Sequence, residues 1–175
     1  AGARFGEHEN FRKQMDAIIN PDYGVTEPAD GIDVSLRDYQ KVGLGWFQFL
    51  RQNGFGGILA DDMGLGKTLQ TIAHLWTEKV AGRLKKHALV VAPTSLLFNW
   101  RSEICRFAPE LSCVIYHGPG RKKLQKQIPF EQPDIVITSY SLLVRDKAFH
   151  YEQHYSYIVL DESQKIKNAD TVLAR

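Results

Sequence analysis

Five short, mostly apolar runs alternate with helical patterns along this chain. The runs are Gly57–Ala60, Ala88–Ala92, Cys113–Tyr116, Asp134–Ile137 and Tyr157–Leu160, each of strand length. Ala88-Leu89-Val90-Val91-Ala92 has no polar member, as a strand buried on both faces of a parallel sheet requires. Between the runs, apolar residues recur at helical spacing: Tyr39, Val42, Trp46, Phe47, Phe49 and Leu50; then Leu69 to Trp76; then Leu96, Leu97, Trp100, Ile104 and Phe107. Ser35-Leu36-Arg37-Asp38 has the form of a capping box with Ser35 as N-cap, and Asn53-Gly54 ends the helix it opens. The aromatic stripe of that helix reads as core packing. Arg121 to Gln127 is a basic helical stretch, read as a solvated face. Residues 1–31 read as an N-terminal extension or linker, with a weak helix from Glu9 to Ile19 stopped at Asn20-Pro21 and a turn at Pro28–Gly31. Strands alternating with helices predict βα units on a mostly parallel sheet, an α/β domain in three layers, α/β/α.

Composition narrows this little. The chain has 175 residues, 43% hydrophobic and 24% charged, ordinary for a soluble globular domain. A net charge of +2 does not announce a nucleic-acid binder, so any basic surface must be local. Cys105 and Cys113 have no CxxC partner, fit a reducing compartment, and read as small core residues. No apolar run approaches the ~20 residues of a membrane span, so no membrane partner is expected.

The candidate chemistry begins after the first apolar run, at Asp61-Asp62-Met63-Gly64-Leu65-Gly66-Lys67-Thr68. Strand, glycine-rich loop and helix in that order are the setting of a phosphate-binding loop. Glycines let backbone N–H groups approach phosphate oxygens, and a helix starting at Lys67 adds the positive end of its dipole. Lys67 can reach the outer phosphates, and the Thr68 hydroxyl can ligate a phosphate-bound Mg²⁺. The strict pattern GxxxxGK[ST] has glycine where Asp61 stands here. A second piece is Asp161-Glu162 at the end of the last apolar run. A strand ending there delivers carboxylates to the C-terminal edge of the sheet, where α/β folds bind ligands. Asp161 can hold Mg²⁺ and Glu162 can activate a water, so the loop and this pair together point to an NTPase. Gln40 has an amide that suits an adenine edge, though a helix glutamine is more often simply solvated. His150 and His154 are spaced i, i+4, but no third ligand has zinc spacing.

Residues 36–47 (LRDYQKVGLGWF), 59–68 (LADDMGLGKT), 90–100 (VVAPTSLLFNW), 137–140 (ITSY) and 159–168 (VLDESQKIKN) resemble, in order, motifs of the SWI/SNF-type family of DNA-translocating ATPases, in helicase superfamily two. The resemblance implies a P-loop NTPase fold of RecA-like type, with residues 32–175 as a first ATP-binding lobe and Asp161-Glu162 as its DEAH-like acidic box. It implies ATP and Mg²⁺, with Arg37, Tyr39 and Gln40 around the adenine, residues 61–68 around the phosphates, Thr68 and Asp161 on the metal, and Lys67, Asp161 and Glu162 in catalysis. Pro93, Thr94 and Ser95, and separately Thr138, Ser139 and Tyr140, stand where such proteins touch the backbone of double-stranded DNA, a contact that reads no bases. Position 61 matches the family's own variant of the loop. Asp62 replaces a usual glutamate, and Ser163-Gln164 stands where many relatives carry Ala-His. That puts the coupling role of Gln164 towards a second lobe in question, since an amide cannot become cationic.

No second RecA-like lobe with an arginine finger is found in the sequence. Such a finger is worth about 10³–10⁵ in rate, so the expectation is a fragment that alone binds ATP weakly and turns it over slowly. The alternatives are a strand-separating or restriction-type translocase of the same superfamily, or a nucleotide-gated DNA-binding module with negligible turnover. The family resemblance implies a nuclear location, or the cytoplasmic nucleoid in a bacterium. The protein–DNA complex acted on is not legible.

Overall fold

The computed structural model describes residues 23–62 and 64–165. The expected helix at 9–19, Met63 and Ile166-Lys167-Asn168 lie outside the described residues. Four parallel strands, β1 (Ala88–Ala92), β2 (Cys113–Ile115), β3 (Ile135–Ser139) and β4 (Tyr157–Leu160), form one sheet in the order β2-β3-β1-β4. The two central strands are buried at every position; β1 is apolar throughout, while β3 ends in the polar but buried Thr138 and Ser139.

Side chains alternate across a strand, and each face of the sheet collects its own helices. Ala88, Val90, Ala92, Ile135 and Ile137 face α2 (Lys67–Val80) and α3 (Leu97–Phe107), packing on Ile72, Leu75, Trp76, Trp100 and Ile104. Leu89, Val91 and Val136 face the other way, onto Tyr116, Leu124 and Ile128, with α4 (Arg121–Glu131), α5 (Tyr140–Arg145) and α6 (Lys147–Glu152) forming that layer. This is the α/β/α sandwich that the alternation predicts. Outside α2 lies α1 (Asp38–Asn53), joined through Leu36, Leu44 and Ala73. Residues 23–31 run across both: Thr26 N–H donates to the Lys41 carbonyl, Ala29 N–H to Thr77 Oγ1, and Trp76 Nε1–H to the Asp30 carbonyl.

Four local expectations change. The helix cap is Arg37, not Ser35: its N–H donates to Gln40 Oε1 at 3.0 Å, so the glutamine side chain caps the helix from its third position. Gly57–Ala60 is irregular rather than a strand, with Ile58 83% exposed. Strands persist only in ladders, and among the described residues this run has no ladder partner. The first residue of the run is instead packed against α1, where a Cβ on Gly57 would lie 2.4 Å from Leu50 and 2.6 Å from Trp46. The aromatic stripe of α1 is only half buried, because Gln40, Leu44 and Gly45 take the inner face while Tyr39 and Val42 stay exposed. Cys105 lies on the solvent side of α3 and is exposed, and Cys113 is half-buried.

Candidate nucleotide and strand-end site

The positive end of the site is built by two glycines and a helix start. Gly64 (φ 85°) and Gly66 (φ 76°) are both left-handed, a conformation that side chains with a Cβ resist, and α2 begins immediately after, at Lys67. Gly66 is doubly constrained, because a Cβ there would sit 2.6 Å from Gln40 Nε2. Lys67 Nζ reaches back to the carbonyls of Asp61 (2.6 Å) and Asp62 (3.0 Å), closing across the loop. Gln70, fully buried one turn on, donates from Nε2 to Asp61 Oδ2 at 3.0 Å. Gln40 is buried against the same loop and donates to the Leu65 carbonyl at 3.3 Å. Its amide is therefore spent at both ends, on Arg37 N–H and on Leu65 O, as a brace between α1 and the loop. Arg37 and Tyr39 are exposed on the same first turn.

The negative end is Asp161, and it is pinned three ways. Its N–H donates to the Val91 carbonyl at 2.9 Å, extending the β1–β4 ladder by one residue. Its carbonyl accepts from the Tyr140 hydroxyl at 2.8 Å. Its Oδ2 accepts from the indole N–H of Trp100 at 2.8 Å. Burial, with the negative charges of Asp161 and Glu162, pushes the Tyr140 phenol up to about 12, which keeps it a donor. Glu162 follows with φ 53°, a left-handed backbone that only a few per cent of non-glycine residues adopt, often at functional sites. Gln164 donates to the Glu162 carboxylate.

The two ends are carried by α2 and β4, and α2 is tied to β4 through its last turns. Near its C-terminus, His74 packs edge-on to Tyr157, and Glu78 accepts from the Tyr157 hydroxyl, at the start of β4. Lys67 lies 11 residues back along α2, about 16 Å. Asp161 lies four residues on from Tyr157, about 13 Å along the strand. Asp161 thus stands at the C-terminal edge of the sheet, bonded to Val91 near the end of β1. The oxygen donors of Thr68 and Asp161 are of the kind Mg²⁺ takes, with one or two protein ligands and the rest left to phosphates and water. Among the described residues no group of three or more His, Cys, Asp or Glu could hold a metal instead.

Along the same edge, Pro93 and Thr94 at the end of β1 and Ser139 and Tyr140 at the end of β3 line an open groove of about 370 Å³. Thr94 and Ser95 are exposed in a short 3₁₀ turn, Thr94–Leu96, that leads into α3. Thr138 corrects the expectation made for it. It is fully buried within β3 and its hydroxyl donates to the Tyr116 carbonyl, so it is spent inside the sheet. Ser139 is buried too, with its hydroxyl paired to Ser141. His150 and His154 do not share a helix: α6 ends at Glu152, and His150 Nδ1 is bonded to the Tyr155 hydroxyl at 2.7 Å.

Sequence reasoning missed Gln70, Trp100 and the cluster around Glu78. Trp100 was legible only as an apolar position, although a buried indole N–H usually finds an acceptor. Glu78 is fully buried and accepts from Gln48, Arg83 and Tyr157, with Arg51 Nε 3.6 Å away. That one carboxylate joins α1, α2 and β4.

A family model described as the SNF2-related domain matches residues 39–175. The putative ATP-dependent helicase/translocase YwqA of Bacillus subtilis is 42% identical over 180 residues, covering 100% of this chain and 19% of that protein. Helicase SWR1 of Saccharomyces cerevisiae is 44% identical over 140 residues, 77% of this chain and 9% of its own length. The SWI2/SNF2 ATPase core of Sulfolobus solfataricus in complex with double-stranded DNA superposes with a TM-score of 0.76 at 42% identity, over 86% of this chain and 30% of that one. The chain thus spans less than a third of each of these relatives.

Proposed function

The chain belongs to the SNF2-related domain family, and from that premise we propose that it is the ATP-binding lobe of a double-stranded-DNA translocase that remodels protein–DNA complexes. The observation that supports this reading is that α2, which opens after the glycine loop at Lys67, is bonded through Glu78 to Tyr157 of β4, the strand that Asp161-Glu162 follows. The likeness to a core that carries DNA supports the choice of polymer.

In this reading Lys67 exchanges the Asp61 and Asp62 carbonyls for the β- and γ-phosphates of ATP, and the N–H groups of residues 64–68 bind the same oxygens. Gln40 exchanges its bond to Leu65 for the adenine edge, with Arg37 and Tyr39 beside it. Thr68 and Asp161 would hold Mg²⁺, which when bound would supply positive charge against that developing on the phosphates. Glu162 orients and deprotonates the attacking water, and its left-handed backbone fixes the direction of the carboxylate. Gln164, bonded to Glu162, couples that base to a second RecA-like lobe, whose arginine completes the site. Pro93, Thr94, Ser95, Ser139 and Tyr140 meet the DNA backbone, so tracking is independent of sequence.

The test is ATP hydrolysis by the intact protein with and without a mixed-sequence duplex. DNA stimulation in the wild type, with Lys67→Ala losing both nucleotide binding and turnover, is the expected result. Turnover unaffected by Lys67→Ala overturns the proposal, and a binding preference for one base sequence overturns the backbone-contact part.

A further inference from the structure

We propose that Trp100 and Tyr140 are positioning residues for Asp161, tying the orientation of the metal-holding carboxylate to the two strand ends that line the groove. The inference deepens the function proposed above and rests on its reading of Asp161 as the Mg²⁺ ligand.

Trp100 belongs to α3, which opens directly from the 3₁₀ turn carrying Thr94 and Ser95. It is buried, and its indole N–H ends on Asp161 Oδ2 at 2.8 Å. Tyr140 is the first residue of α5, next to Ser139, and its hydroxyl ends on the Asp161 carbonyl at 2.8 Å. One groove wall, Tyr140, and the helix that follows the other, α3, therefore each hand one hydrogen bond to the same aspartate, one to its backbone and one to its side chain. Holding Oδ2 sets the direction in which Oδ1 points. Mg²⁺ demands near-ideal octahedral geometry at about 2.0–2.1 Å, so a carboxylate turned by a small shift of α3 binds it less well. Groups that orient a ligating side chain typically matter by about 10–100-fold in metal affinity. A ligand in the groove that displaces the Thr94 turn or the Tyr140 helix start moves one of these two donors, and with it the metal affinity.

The test is metal binding. Mg²⁺ is titrated into the intact protein holding a non-hydrolysable fluorescent ATP analogue, with and without a duplex, and Mn²⁺ binding is followed by electron paramagnetic resonance. Trp100→Phe removes the indole donor. Its Mg²⁺ midpoint should rise about 10–100-fold, nucleotide affinity without metal should stay within twofold, and excess Mg²⁺ should restore wild-type binding. Tyr140→Phe, which removes a single hydroxyl and so guards against misfolding of the larger change, should cut the shift that DNA produces in the midpoint by at least half. Asp161→Asn separates the two levels. If Asp161→Asn leaves the midpoint unchanged, the metal-site reading fails and this inference falls with it. If Asp161→Asn raises the midpoint but Trp100→Phe and Tyr140→Phe leave it and its DNA dependence within twofold of wild type, positioning by these residues is overturned while the metal site stands.

Discussion

Glu78→Gln should cost the fold about 3 kcal/mol at neutral pH, although the substitution changes shape by almost nothing. The carboxylate is fully buried, yet it is held ionised. Burial alone would push its pKa up, but hydrogen bonds from Arg83, Tyr157 and Gln48 and the nearby His74 outweigh it, and the value falls from 4.5 to about 2. At ~1.4 kcal/mol per pH unit, that drop is worth about 3 kcal/mol of stability above pH 4.5. A glutamine amide would turn an N–H₂ towards the donors of Arg83 or Gln48 and would leave Arg51 Nε, already without a hydrogen bond, facing no charge. Breaking a buried pair by removing one partner costs about 3–5 kcal/mol, and the lower end applies because Arg83 is partly open to water and can be solvated. Equilibrium urea unfolding of both proteins at pH 7, repeated at steps down to pH 3, measures this. The difference should be near 3 kcal/mol at pH 7 and should shrink as pH falls below 4.5 towards 2. A difference under 1 kcal/mol at pH 7, or one that does not change with pH, refutes the electrostatic account of this cluster.

Other expectations follow from the same helix pair. Gly43→Ala should destabilise by about 1–3 kcal/mol in thermal melting despite the better helix propensity of alanine, because the new Cβ would lie 1.9 Å from the buried Gln70 Oε1. Restored stability in Gly43→Ala/Gln70→Ala would locate the cost in that contact. His74 is held neutral, its pKa pulled from 6.5 to about 4 by burial and by Arg51 and Arg83 against the attraction of Glu78. The unfolded chain takes up that proton first, so stability should be full above pH 6.5 and fall by about 1.4 kcal/mol per pH unit down to pH 4, and His74→Gln should flatten that slope in urea midpoints. Duplex binding by the chain should be no tighter than about 10⁻⁴–10⁻⁶ M at physiological salt, weaken as salt rises, and ignore base sequence in fluorescence anisotropy.

The legibility of this fold follows how local each cause is. Ala88–Ala92 announced a central strand because an all-apolar pentapeptide suits only a sheet covered on both faces, and the matching helices were readable from their own spacing. Lys67 as the first residue of α2 was readable because glycine at 64 and 66 has one local use. Gly57–Ala60 misled because a strand also needs a neighbour, and a pairing partner is not written in the run itself. The cap lies at Arg37 rather than Ser35 because the Gln40 side chain, itself held against the glycine loop at Leu65, accepts the Arg37 N–H from within the helix. Thr138 carried a motif position but lies inside the ladder, where its hydroxyl must find a carbonyl. The bonds from Trp100 and Tyr140 to Asp161 join residues 61 and 21 positions apart. No spacing rule reaches that far.

The central claim, that Asp161-Glu162 and the Lys67 loop form one ATP-hydrolysing site, is tested most directly by Glu162→Gln in the intact protein. Nucleotide affinity and single-turnover hydrolysis are measured side by side in the presence of duplex DNA. The account predicts ATP bound within about twofold of wild type and hydrolysis slowed at least 10²-fold, the lower bound of what a positioned general base contributes. Undiminished single-turnover hydrolysis by Glu162→Gln would contradict it.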